Sequence, residues 1–308
     1  MKNLQDEELR LSIQPALIYA GLAMATLMKS SEVEFKAPGR ERALWLRATA
    51  QTSLEASMAS QWIDPSLAEA ALILALFESS AHPMYNPDRV EQSLLNLDYI
   101  IRSTNLTTLD ISDPDAVHYP AGCVPVVNLE PLVDESPDRK CACIPSDSAQ
   151  GPNPFSSWSY VPPWDPTWTE AEIRDEECRR LCWSALSLMC NYVSQCVAFN
   201  RDPPNFFLTN CSNYVLLFPG EVLDRVSPSY RGSMSPSTKE SVWALYCRSM
   251  LLWNFTNQLR TKPVLNDDKV ELIYEAWAEA QSLQDSLHIH ECNLDTALIY
   301  MCREYVYK

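Results

Sequence analysis

Glycine is scarce in this sequence, with only 6 among its 308 residues. So few glycines argue against a β-protein rich in tight turns, because many such turns require a positive φ angle. They also argue against phosphate-binding loops, and no Gly-x-Gly-x-x-Gly, P-loop or Gly-x-Ser-x-Gly motif occurs. The sequence therefore does not indicate a nucleotide-binding or hydrolase site of these kinds.

Basic residues are also few, with 24 Lys and Arg against 40 Asp and Glu and a net charge of −16. The imbalance is strongest in residues 103–172, where 2 basic and 11 acidic residues give a net charge of −9. An acidic surface repels the phosphates of nucleic acids. We therefore predict that this chain does not bind nucleic acid directly.

The N-terminal part lacks a long apolar run. Its most apolar stretch, residues 16–28, is too short to span a membrane and follows acidic rather than basic residues. We expect neither a membrane span nor a secretory leader. The 11 cysteines are then expected to be reduced thiols of an intracellular protein.

Metal-ligand patterns are incomplete. A structural zinc site typically takes its ligands from two close pairs. Close cysteine pairs occur at positions 141 and 143 and at positions 178 and 182, but neither has a matching second pair. The run "HIHEC" at 288–292 is better explained as a polar link between two helices. We predict no metal site and no cofactor, with buried cysteines acting as small apolar groups.

Helical periodicity dominates the remaining sequence, because apolar residues recur three and four positions apart and no strand-like alternation is sustained. Helix starts are signalled by Asp64-Pro65, Asn86-Pro87 and the capping boxes Thr169/Glu172 and Ser237/Glu240. We predict an all-α fold, a multi-helical array of antiparallel helix pairs. Residues 1–308 are expected to form one domain of two helical blocks, 9–102 and 169–308, joined by an insertion at 103–168.

The insertion is acidic and proline-rich, and it is expected to be partly disordered. It contains "VPVVNLEPLVDESPD", in which apolar residues alternate with acidic ones. Such segments can recruit a partner, here by docking Val127, Leu129, Leu132 and Val133 on a helical coregulator. A solvated loop is the alternative interpretation of the same pattern.

The stretch "EIRDEECRRLCWSAL" at 172–186 joins a charged lead-in to Arg-Arg-Leu, Cys, Trp and a long apolar helix. This order resembles the signature segment of the middle homology region, or fungal-specific transcription factor domain, of fungal zinc-cluster transcription factors. The matching residues are Glu176, Arg179, Arg180, Leu181, Cys182, Trp183, Leu186 and Tyr192. "LIYAGLAMATLM", "RERALWLRATAQTSLEASM" and "SLAEAALILALFE" resemble earlier helices of the same region.

The resemblance implies a non-enzymatic regulatory domain of a nuclear transcription regulator, with no catalytic residue. Glu176, Arg179 and Arg180, at the helix start, would form ion pairs with neighbouring helices, while Leu181 and Trp183 enter the core. The resemblance also implies regulation through coregulators, self-association or a small-molecule effector. Zinc belongs to the family's N-terminal cluster of six cysteines, and no such cysteine spacing occurs in this sequence.

Two other interpretations remain open from the sequence. A helical enzyme or small-molecule-binding protein on the same scaffold would need polar groups converging in a pocket, which no motif indicates. A pure interaction scaffold would instead have a well-packed interior and a stable protein partner.

Overall fold

The computed structural model describes residues 13–30, 35–129, 164–226, 237–261 and 267–288. Within these ranges the chain forms eight α-helices and no strand, which confirms the all-α prediction. The helices are α1 Pro15–Met28, α2 Lys36–Ala59, α3 Pro65–Ser79, α4 Pro87–Ser103, α5 Glu170–Ala198, α6 Glu221–Val226, α7 Val242–Thr261 and α8 Asp267–His288. Short 3-10 turns occur at Leu106–Thr108, Phe207–Thr209, Cys211–Asn213 and Thr238–Glu240.

Side-chain caps start α3 and α4 where the sequence predicts them. The Asp64 carboxylate accepts the backbone N–H of Leu67 at 2.9 Å. The Asn86 amide oxygen accepts the backbone N–H of Asp88 at 2.8 Å. Proline follows each cap as the first helical residue, where its missing N–H costs nothing. These two helix starts are therefore set by local sequence.

The two predicted capping boxes both form, but only one opens an α-helix directly. At the start of α5, Glu172 accepts the Thr169 N–H at 2.7 Å. The Ser237/Glu240 box instead caps the start of a 3-10 turn, because Ser241 is extended and separates this turn from the helix that follows. The Ser241 hydroxyl then accepts the Ala244 N–H at 3.2 Å and caps α7.

One compact unit consists of residues 1–106 and 191–207. In it α1 packs on α2 and α3, and α3 also packs on α2 and α4. Ala16, Ala20 and Ala23 are buried on α1, and their small size allows close approach of the neighbouring helices. α3 is buried along most of its length, as predicted from its nearly continuous apolar sequence. This first unit therefore includes chain from well beyond the predicted block 9–102.

The second compact unit consists of residues 107–190 and 208–308. Here α7 packs against α8, and α5 contributes its residues up to Cys190. Residues 107–129 also belong to this unit and are anchored in it, since Val215 N–H donates to the Thr107 carbonyl at 2.9 Å. Residues 107–129 of the predicted insertion are thus part of the second unit.

Candidate functional site

The charged lead-in of α5 forms a buried network in the second unit. Glu176 and Arg179 are both buried, and Arg180 lies at the edge of the same cluster. The helix places Arg179 and Arg180 three and four residues after Glu176, on the same face. The Glu176 carboxylate lies 3.4 Å from Arg179 Nη1 and 2.9 Å from Arg180 Nε.

The partner that neutralises Arg179 comes from a distant part of the sequence. Arg179 Nε and Nη2 donate to the two carboxylate oxygens of Asp110 at 2.9 and 2.7 Å. This bidentate geometry is the strongest common form of ion pair. Burial opposes the charge of Arg179, but hydrogen bonds and charge from Asp110 and Glu176 outweigh it and raise the arginine pKa.

Backbone groups complete the coordination of both buried carboxylates. Asp110 Oδ2 accepts the Leu217 N–H at 2.8 Å, and Glu176 Oε1 accepts the Gly220 N–H at 2.9 Å. A buried ion pair is tolerated when its remaining hydrogen-bonding positions are filled in this way. The network therefore fixes the 214–220 segment to the first turns of α5.

Arg180 also has partners within the second unit. Its guanidinium carbon lies 3.9 Å from the centre of the Trp164 ring, a cation–π distance, while its Nε pairs with Glu176. Neither arginine is thus presented to a phosphate in this arrangement. Their carboxylate partners are Glu176 of the same helix and Asp110 in a turn, rather than residues of neighbouring helices as the resemblance implied.

Trp183 and Leu181 lie in the core, as expected for the signature segment. The Trp183 indole N–H donates to the Leu217 carbonyl at 2.9 Å. Its ring stacks on Tyr214, with centroids 5.0 Å apart, and contacts Phe218 at 5.4 Å. Trp183 therefore binds the same 214–220 segment that Asp110 and Glu176 bind through its backbone N–H groups. We call this meeting of α5, Asp110 and residues 214–220 the junction.

A second set of charges extends this network along residues 113–115. Arg225 Nη1 lies 3.0 Å from Asp113 Oδ2, and Lys239 Nζ lies 2.8 Å from Glu221 Oε1. Lys239 also donates to the Asp115 carbonyl at 2.6 Å. Sequence reasoning missed Asp110, Asp113 and Glu221, because no local spacing links them to their partners.

A third polar cluster lies deeper in the second unit. The buried Arg248 donates from Nη2 to Glu279 at 2.8 Å and from Nη1 to the Lys239 carbonyl at 3.2 Å. Burial raises the pKa of Glu279, although the Arg248 charge opposes this. Arg248 Nε and the buried Tyr119 hydroxyl have no hydrogen-bond partner within the described part of the chain. Burial also raises the pKa of Tyr119.

A buried charge cluster surrounds Glu78 near the end of α3 in the first unit. Arg47 Nε pairs with the Glu78 carboxylate, and Arg89 Nε lies 3.6 Å from it. His82 Nε2 lies 3.8 Å from Glu78 Oε2, while its Nδ1 accepts the Met84 N–H at 3.2 Å. Burial lowers the pKa of His82; Glu78 opposes this shift and Arg89 and Arg47 add to it.

The four thiols of α5 are buried. Burial raises the pKa of Cys182 well above its usual value and that of Cys190 to about 12. Cys190 Sγ accepts a hydrogen bond from the Asn254 amide at 3.0 Å. Across the described ranges no three His, Cys, Asp or Glu side chains are placed to hold a metal ion. His290 and Cys292 of the "HIHEC" run lie outside those ranges.

The predicted partner-recruiting segment is only partly described. Val127 is buried, Leu129 is half-buried, and Leu132 and Val133 lie outside the described residues. The Val127 backbone N–H interacts with the Glu279 carboxylate. A partner could therefore reach Val127 only if this segment left its seat beside α8, and recruitment by the four residues stays a prediction.

Among the helices that the structure describes, none combines the length and apolar character needed to cross a membrane. Comparisons of the chain with protein-family models, with curated proteins and with solved structures found no match. A function for this chain therefore rests on the placement of its own residues.

Proposed function

We propose that this chain is a regulatory domain of the middle-homology type from a fungal transcription regulator. It acts in the nucleus through a coregulator, self-association or a small effector, and it performs no catalysis. Its helices form antiparallel pairs, and zinc and DNA recognition belong to a separate zinc-cluster segment whose cysteine spacing is absent from this sequence.

One observation carries the proposal: the residues of the resembling signature converge on a single junction. Glu176 and Arg179 meet Asp110 and the 214–220 backbone, and Trp183 packs beside them. A motif that ties a helix to two distant segments has a structural reason to keep this order of charges, cysteine and indole. Because these residues are explained by their contacts within the fold, they need no catalytic role, and this supports a binding or regulatory role for the chain.

The electrostatics of the chain support the same proposal. The two signature arginines are paired with carboxylates, and the whole chain carries a charge of −16. A cationic surface is the general requirement for tight binding to duplex DNA. Regulation by this chain would therefore proceed through protein or ligand contacts.

A tethering experiment tests the proposal. The whole chain is fused to an unrelated sequence-specific DNA-binding domain and expressed in fungal cells with a matching reporter. We expect reporter expression to rise or fall relative to the DNA-binding domain alone. The matched control is the same fusion carrying Arg179→Ala, which breaks the junction. An unchanged reporter, or tight sequence-specific duplex binding by the isolated chain, contradicts the proposal.

A second candidate function, binding of a small effector, is favoured by the cluster around Arg248. Tyr119 and Arg248 Nε are buried polar groups without partners in the described part of the chain, and each is a hydrogen-bond donor that a ligand oxygen would satisfy. Thermal-shift titration with small carboxylic acids and ketones tests this candidate. A saturable rise in Tm that the Tyr119→Phe variant no longer shows would support effector binding. No rise in Tm with any compound would count against it.

A further inference from the structure

An exposed apolar stripe runs along the first half of α8. Its members are Val270, Ile273, Tyr274 and Trp277, which are 37%, 45%, 70% and 64% exposed. Their spacing of i, i+3, i+4 and i+7 places all four on one face of the helix. We refer to these four residues as the α8 stripe.

The α8 stripe is not the face by which α8 joins the fold. The buried side of the helix carries Ala276, Glu279, Leu283 and Leu287, and α8 packs on α7. The helix is therefore held mainly by the side opposite the stripe. A contiguous set of large apolar side chains on a seated helix is typical of a binding surface.

Acidic residues border one edge of the stripe. Glu271 and Glu275 are exposed and one turn apart, next to Tyr274 on the helix surface. Lys269 is the one lysine or arginine of α8 and lies towards the opposite edge. A helix that packs on the stripe is thus favoured when its facing edge carries lysine or arginine.

Two other possible occupants fit this surface less well: a segment of the same chain that follows α8, and a second copy of the chain. The same face of α8 continues towards its end with Gln281 and Asp285, both exposed. A segment returning from the end of α8 would first meet these polar side chains rather than the stripe. An antiparallel second copy would bring the Glu271/Glu275 edges of the two helices against each other.

We propose that the α8 stripe docks an amphipathic helix of a partner protein. That helix presents aliphatic or methionine side chains at i, i+3, i+4 and i+7 and a row of Lys or Arg facing Glu271 and Glu275. Trp277 and Tyr274 supply most of the contact, as large aromatic side chains do at interfaces. This inference names the partner class for the proposed regulatory role and rests on that role.

Peptide binding to the full chain tests the inference. The probe is a fluorescein-labelled helical peptide with leucines in the four apolar positions and lysines along one edge. One comparison peptide carries glutamate in place of lysine, and another has the lysine peptide's composition in scrambled order. We expect saturable binding of the lysine peptide, weakened by salt, and about tenfold weaker binding of both comparison peptides.

Variants of exposed residues provide matched controls that leave the fold intact. Trp277→Ala and Ile273→Ala should each weaken the lysine peptide about tenfold. Glu271→Gln with Glu275→Gln should weaken it about threefold and reduce its salt dependence. Trp45→Ala, at a site on α2 that is 63% exposed, should leave binding unchanged.

Three results would overturn the inference. They are equal binding of the scrambled peptide, equal weakening by Trp45→Ala, and a dimer in sedimentation that Trp277→Ala dissociates. Because the peptide measurement does not use the reporter, the two proposals fail separately. If the fusion changes reporter expression but the peptide does not bind, only the docking site is rejected. If the peptide binds but reporter expression is unchanged, only the regulatory role is rejected.

Discussion

At the scale of single residues, two buried tyrosines show how hydrogen bonding decides what a polar group contributes. The Tyr214 hydroxyl donates to the Leu208 carbonyl at 2.9 Å. The Tyr119 hydroxyl is equally removed from water but has no partner among the described residues. A buried polar group without a partner costs free energy, whereas a paired one is close to neutral or stabilising.

Replacing each tyrosine by phenylalanine should therefore have opposite effects. We expect Tyr119→Phe to raise the free energy of unfolding by about 1 kcal/mol, because it removes an unsatisfied hydroxyl. Tyr214→Phe should lower it by about 1 kcal/mol, because a formed hydrogen bond is lost. Urea denaturation of both variants measures the two changes. Equal destabilisation by both substitutions would show that Tyr119 has a partner after all.

The histidine near Glu78 makes stability depend on pH. Burial keeps the pKa of His82 below its usual value of 6.5, so the folded protein holds this ring neutral. The unfolded chain takes up a proton near pH 6.5 and the folded chain does not. Stability from this group is therefore complete above pH 6.5 and falls as the pH drops below it.

A His82→Asn variant tests this pH dependence, because asparagine keeps an acceptor for the Met84 N–H and does not titrate. We expect the wild type to lose more free energy of unfolding than the variant between about pH 7.5 and pH 5.5. His118→Asn, at an exposed histidine, serves as the control and should follow the wild type. Parallel pH profiles of wild type and His82→Asn would contradict the prediction.

At the scale of elements, the start of α5 combines a local signal with a distant one. Thr169 and Glu172 cap the helix through neighbouring residues. Glu176 and Arg179 then depend on Asp110 and on backbone N–H groups of the 214–220 segment. The helix start is therefore a junction of three chain segments, and its charges stabilise the fold only while all of them are paired.

Removing one member of this junction should be costly. We expect Arg179→Ala to lower the free energy of unfolding by about 3–5 kcal/mol, because Asp110 is left as a buried charge without its main partner. Arg174→Ala, at an exposed arginine of the same helix, should change it by less than about 0.5 kcal/mol. Chemical denaturation followed by circular dichroism compares them. Similar losses for both arginines would show that the network contributes nothing specific.

At the scale of the whole molecule, each compact unit is built from separate stretches of chain. The first unit takes residues 191–207 in addition to residues 1–106. Within it the Tyr192 hydroxyl donates to Glu91 at 2.7 Å, and the Phe207 N–H donates to Asp98 at 2.9 Å. The guanidinium of Arg102 also lies over the Phe207 ring, at 5.4 Å. These contacts attach residues 191–207 to α4 within the first unit.

A fragment ending at residue 106 should therefore fold incompletely. We expect it to bind a hydrophobic dye and to unfold with a broader transition, because α4 has lost its cover from Tyr192 and Phe207. Joining residues 191–207 to the fragment through a flexible glycine–serine linker should restore a sharp transition. A fragment that already unfolds cooperatively without those residues would show that the addition is peripheral.

The sequence alone determined the all-helical class and the starts of α3, α4 and α5. These features depend on interactions within about one or two turns of chain, such as a cap or an apolar period, and such interactions can be inferred from residue order. The pairing of Arg179 with Asp110, which are 69 residues apart, and the inclusion of residues 191–207 in the first unit were decided only by tertiary structure. Acidic residues are abundant in this chain, and only the folded path of the backbone selects which carboxylate meets a given arginine.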